Sequence, residues 1–107
     1  MTLLQTIALF AGGLFLMNAV PHVVAGTMGR AFQSPFAKPP GEGLSSSTVN
    51  VLWGFFNLVV AWLLLVPAGG FVPHAWAHVL ATGAGALLMA LFHARHFGRF
   101  HGGRAPT

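Results

Sequence analysis

The chain has 107 residues, five basic side chains and one acidic one, and is 55% hydrophobic and only 6% charged. Soluble globular proteins carry roughly 25% charged residues, so a single small domain of this composition cannot cover a water-facing surface, and lipid is the expected solvent. The absence of cysteine excludes disulfides, thiolate metal sites and thiol nucleophiles together.

The first apolar run is Leu3–Val20. No Lys or Arg precedes Arg30, so the basic n-region of a secretory signal peptide is missing and a retained first span is expected. Gly12 and Gly13 sit in mid-run, where small residues let a neighbouring helix approach. Pro21 follows, and predicts that the helix ends or kinks near Val20–His22. The expected first helix is 3–22.

A long connection over 23–46 comes next, punctuated by Gly26, Gly29, Pro35, Pro39, Pro40, Gly41 and Gly43. Its apolar and aromatic content, with Phe32 and Phe36, predicts an ordered cap on the bundle rather than a free tail, with Arg30 and Lys38 in water. Ser45–Thr48 then supply N-capping hydroxyls for a second helix over 47–67. Within it, Val49–Val66 carries no charge, and its run makes roughly 27 Å of helix, about one bilayer core. Asn50 and Asn57 interrupt this run seven residues apart, on one helical face.

Pro67, Gly69, Gly70 and Pro73 make a short turn, and the third apolar run is Ala75–Phe92, predicting a helix over 74–97. Ala77, Ala81 and Gly85 recur every fourth residue as a close-packing ridge. Residues 101–107 read as a frayed tail. The predicted fold is an all-α integral membrane protein: three antiparallel transmembrane helices in a single domain, 1–107, with a long ordered loop between the first two.

With three crossings, all five Lys and Arg residues (Arg30, Lys38, Arg95, Arg99, Arg104) fall on one side of the membrane. The positive-inside rule makes that side cytoplasmic and places the N-terminus outside, in a plasma (cytoplasmic) membrane such as the bacterial inner membrane. So few bases cannot form a nucleic-acid footprint.

Polar groups in the spans are the candidate site. Asn18 and His22 of the first span, Asn50 and Asn57 of the second, and His93 and His96 of the third lie toward one end, beneath the long loop. They form either a polar pocket or a set of side-chain hydrogen bonds gluing helices together. His74 and His78, four apart, are weak metal candidates at the other end. No cofactor is predicted. A b-type haem held by His22 with His93 or His96, or a metal ion, is the cofactor alternative. Glu42 is the sole carboxylate side chain and there is no Asp, which excludes a Ser–His–Asp triad, paired-carboxylate catalysis and a dedicated calcium or magnesium cage.

Gly26-Thr27-Met28-Gly29-Arg30 and Thr48-Val49-Asn50-Val51-Leu52 resemble short elements of small bacterial fluoride channels. Those channels have four spans and a phenylalanine- and threonine-rich break in the third, where this chain reads Thr82-Gly83-Ala84-Gly85. The resemblance is therefore set aside and serves only as the basis of an alternative, an oligomeric channel or carrier for a small anion or neutral solute. The main expectation is a small non-enzymatic membrane protein. It would be a homo-oligomer or a subunit of a larger complex, associating through the small-residue ridge and the Asn50/Asn57 face.

Overall fold

The computed structural model describes residues 1–104. It is mostly helical, and its three long helices are each long and apolar enough to cross a membrane. In chain order they are α1 (Leu3–Thr27), α2 (Ser47–Leu63) and α3 (Trp76–His101). A two-stranded ribbon, β1 (Phe32–Gln33) and β2 (Leu44–Ser45), stands between α1 and α2.

α1 begins at Thr2, whose hydroxyl accepts the Gln5 N–H, and runs unbroken through Pro21 to Thr27, past the end expected at His22. Proline removes one helical hydrogen bond, but the turn after it is held by burial: His22, Ala25 and Gly26 all face the interior. The helix stops at Thr27 for a local reason. Gly29 takes φ +72°, and the Arg30 and Gly29 N–H groups donate back to Ala25 O (2.9 Å) and Gly26 O (3.0 Å), which is the Schellman pattern that favours glycine.

The connection to α2 is an ordered hairpin. Phe32 pairs with Ser45 and Gln33 with Leu44, antiparallel. Inside the turn the Gly41 N–H donates to Ser34 O at 2.8 Å, the Gly43 N–H donates to Pro39 O at 2.9 Å, and the Ser34 and Ser45 hydroxyls meet at 2.6 Å. Lys38–Pro39 is a cis peptide. The spacing of glycines and prolines located this loop but not its strands, which are too short to have a readable period.

α2 is capped by Ser46, whose hydroxyl accepts the Val49 N–H. Its α-helical part ends at Leu63, short of the expected 67, and a π-helical turn, Leu64–Ala68, carries Pro67 and finishes the span. Gln5 of α1 donates its side-chain N–H to Gly69 O at 2.8 Å and ties this turn down. α3 starts and ends later than its expected bounds of 74 and 97. Of the expected tail, His101 is helical, residues 102–104 fold back beyond it, and 105–107 lie outside the described residues.

α1 lies at the centre, with α2 and α3 each packed along it and scarcely touching one another. α2 is antiparallel to α1, since Gly54 lies against Val23 and Gly12 against Leu65. α3 is parallel to α1, because Phe10 meets Gly85 and Asn18 meets His93. The α1–α3 crossing is backbone on backbone. A Cβ at Gly13 would collide with the Thr82 carbonyl oxygen, and one at Gly85 with the Phe10 carbonyl oxygen. Of the predicted ridge, only Gly85 is fully used there; Ala81 is half-buried and Ala77 exposed. Gly83, two residues before Gly85, has nothing within 4 Å of where a Cβ would stand.

These neighbours set a paired test in mild detergent with rising denaturant. Gly85→Val must push rigid backbone aside and is expected to cost more than about 3 kcal/mol, above the common range for overpacking. Gly83→Ala is expected to leave stability unchanged or raise it by up to about 1 kcal/mol through helix propensity.

Candidate functional site

The predicted polar residues do converge. The two amides of α2 are completely buried, and each meets a polar residue of α1. Asn18 Nδ2 donates to Asn57 Oδ1 at 2.9 Å, while His22 Nδ1 and Asn50 Oδ1 are 2.7 Å apart. Asn18 and His22 are four residues apart on α1, and Asn57 and Asn50 seven apart on α2, so the pairs form two rungs across an antiparallel helix contact.

Each rung has a direction fixed by carbonyl groups, which only accept. Asn57 Nδ2 donates to Trp53 O at 2.8 Å, so its Oδ1 is the acceptor for Asn18. The Asn18 amide is thereby oriented with its oxygen toward His93, 2.8 Å from Nε2. His93 Nε2 must carry the proton. A single chain of donors thus runs from α3 through α1 to the α2 backbone. The second rung is oriented in the same way. Asn50 Nδ2 faces three carbonyl oxygens, those of Phe32 (3.2 Å), Ser45 (3.2 Å) and Ser46 (3.0 Å). Its Oδ1 therefore accepts from a protonated Nδ1 of His22.

The Asn50 bonds reach both strands of the hairpin, and α3 holds the same hairpin from the other side. His96 Nε2 donates to Gly41 O at 2.7 Å, and His101 Nε2 stands 2.8 Å from Gln33 Oε1. Aromatic rings fill the space between. The His22 ring meets Phe32, Trp53 and Phe97 edge-on, at centroid distances of 5.6, 6.4 and 6.2 Å, and His101 stacks on Phe32 at 5.1 Å. Gln33, Ser34, Phe32, Trp53, Phe97 and His101 are site residues that sequence reasoning missed. No residue spacing marks them: His101 falls in the expected frayed tail and Phe32 in the expected cap.

Where α2 and α3 do not meet, a cleft of about 340 Å³ remains, floored by Asn18 and His22, walled by Trp53, Phe92, His93 and Phe97, and roofed by Ser34, Pro35 and Gly41. Ligand pockets span roughly 300 to 1,000 Å³, and this cleft lies at the lower end of that range. His22, His93 and His96 each commit one ring nitrogen to the protein's own hydrogen bonds. Among the described residues, no three His, Cys, Asp or Glu side chains converge as a metal site. At the opposite end, His78 Nδ1 accepts the Val72 N–H at 3.0 Å and closes the α2–α3 turn, while His74 is exposed. Two buried polar atoms have no hydrogen-bond partner among the described residues, Trp53 Nε1 and Thr82 Oγ1.

Removing the central amide strands two partners. Asn18→Ala is expected to destabilise the protein by about 2 kcal/mol, more than the average interhelical bond of about 0.6 kcal/mol, because His93 N–H and Asn57 Oδ1 lose their partners without gaining water. An Asn18→Ala/His93→Ala cycle, read by the same unfolding assay, should fall short of additivity by at least about 0.5 kcal/mol. Asn50→Ala acts elsewhere: with the hairpin carbonyls released, trypsin is expected to cut after Arg30 much faster than in the unaltered protein, with the helices retained by circular dichroism.

Comparison with protein-family models, with curated proteins and with solved structures finds no match to this chain.

Proposed function

We propose that this chain is a non-enzymatic, multi-pass integral membrane protein that works as a packing subunit, either with copies of itself or in a larger membrane complex. It crosses the bilayer three times, with its N-terminus outside and its C-terminus cytoplasmic.

The observation that carries this reading is the closure of the interior polar network. His93, Asn18, Asn57 and the Trp53 carbonyl form one oriented chain, and His22 and Asn50 another that ends on hairpin carbonyls. In such an arrangement amides and imidazoles lock helices to one another; no cysteine or carboxylate lines the cleft between them, and the Ser34 hydroxyl at its roof is bonded to that of Ser45. Asn50 and Asn57 spend their side chains on α1 and so line no passage through one chain. Lipid as the surrounding medium explains the outward faces. Leu52, Phe55, Val59 and Trp62 on α2, and Leu80, Leu87, Leu88 and Leu91 on α3, are all exposed, a surface that water would not tolerate at this density.

Association, in this reading, uses surfaces other than those the spacing of residues suggested. Gly85 and the Asn50/Asn57 face are consumed inside one chain, which leaves the outer faces of α2 and α3, including the exposed Ala77, Gly83 and Ala84. The chain is expected to remain with membranes through carbonate extraction, to carry a C-terminal reporter on the cytoplasmic side, and to sediment in mild detergent as more than one chain. A clean monomer, isolated from native membranes without companions, would overturn the subunit assignment.

A further inference from the structure

The cytoplasmic-end surface of α3 has a feature the network does not use. Arg95 and Arg99 lie one turn apart on α3, and Arg104 is brought back beside them. Gly102, at φ +82°, reverses the chain, and the Arg104 N–H then donates to Gly98 O at 3.3 Å. The absence of a side chain at Gly98 makes room for this: a Cβ there would lie 2.8 Å from Arg104 Cγ. Three arginine residues thus line a cleft of about 300 Å³, completed by Phe92 and His96. Glu42, the one carboxylate side chain in the protein, does not line it.

Arg99 is held in place for this role. His96 gives its Nε2 hydrogen to Gly41 O, so its Nδ1 is an acceptor, and it lies 3.4 Å from Arg99 Nη2. Arg99 Nε also donates to His96 O at 3.4 Å, and the guanidinium carbon sits 4.9 Å from the Phe100 ring centroid. These contacts orient the planar fork, and the side chain remains exposed. A fork of this kind is matched by a phosphate, which accepts two parallel N–H bonds. Phe92 supplies the other half of the specificity. Its ring stacks on His96 at 5.6 Å, the residue is 57% exposed, and it gives the arginine-lined cleft an apolar wall.

We propose that this cleft binds the phosphodiester headgroup of an anionic phospholipid, with an acyl chain lying along Phe92. The proposal rests on the reading of the helices as membrane spans. α3 has 26 residues, about 39 Å of helix, against a hydrocarbon core of about 30 Å. With the core filled from the Trp76 end, Arg95 and Arg99 emerge at the level of lipid phosphates. A cluster of arginines with no carboxylate partner among the described residues, at that level, calls for an anion, and the leaflet supplies one. Free phosphate shares the headgroup chemistry but cannot use the Phe92 wall.

Native mass spectrometry of the full chain, released from micelles containing phosphatidylglycerol and phosphatidylcholine in equal amounts, tests this. Phosphatidylglycerol should be retained about tenfold over phosphatidylcholine. Arg95→Ala/Arg99→Ala should abolish the preference. Arg30→Ala/Lys38→Ala, which removes the bases outside the cleft, should preserve it. All four side chains are exposed, and circular dichroism confirms that the helices persist. Equal retention of the two lipids by the unaltered protein, or a preference that survives Arg95→Ala/Arg99→Ala, overturns the headgroup site. Displacement of the lipid by millimolar inorganic phosphate overturns the lipid assignment in favour of a free-phosphate site. Carbonate extraction separates the two layers of the argument: a chain released from membranes defeats the span reading itself, whereas a retained chain without lipid preference defeats only this site.

Discussion

Asn18 is the side chain whose hydrogen bonds connect all three helices among the described residues. It accepts from His93 of α3 and donates to Asn57 of α2, so the two outer helices, which scarcely touch, are joined through the middle one. In an apolar surrounding, the alternative for each of these groups is no hydrogen bond at all, which costs more than any pair gains. The direction of the chain adds a further constraint. Because it ends on the Trp53 carbonyl, every amide has one allowed orientation and His93 one allowed tautomer, so the helix registers are set together.

A hydrogen bond of this kind requires the helices to come close, and glycine permits that. Gly13 and Gly85 bring the α1 and α3 backbones into contact one to two turns from the Asn18–His93 bond. Without a hydrophobic driving force between helices in lipid, close packing and interhelical hydrogen bonds are what remain to hold a bundle together. Here both act on α1, which explains why it is the most enclosed of the three helices although it is not the most apolar.

The hairpin belongs to the same structure and is no separate appendage. Asn50 binds its strands from α2, and His96 and His101 bind its turn and its first strand from α3. The ring cluster of His22, Phe32 and Phe97 fills the gap between them. The end of the protein bearing the arginines is consequently its most cross-linked part, and the proposed lipid cleft is built on a rigid floor. At the opposite end, Gln5 and His78 each contribute a single tie to the backbone.

Residue order alone determined the three apolar segments, the loop between the first two, the serine cap of α2 and the set of buried amides and imidazoles. Each of these depends on local composition, on punctuation by glycine and proline, or on the cost of a polar group among apolar ones. Tertiary structure decided the rest. Pro21 does not end α1, because the buried turn beyond it is held by packing. Gly85 serves an internal crossing and not an exposed ridge. Asn50 and Asn57 are fully buried against α1, and Trp53, Phe97 and His101 join the site although no spacing marks them. The physical reason is common to all four. Which helix occupies the centre depends on contacts between residues tens of positions apart, and a glycine or an asparagine carries no mark of the neighbour it will meet.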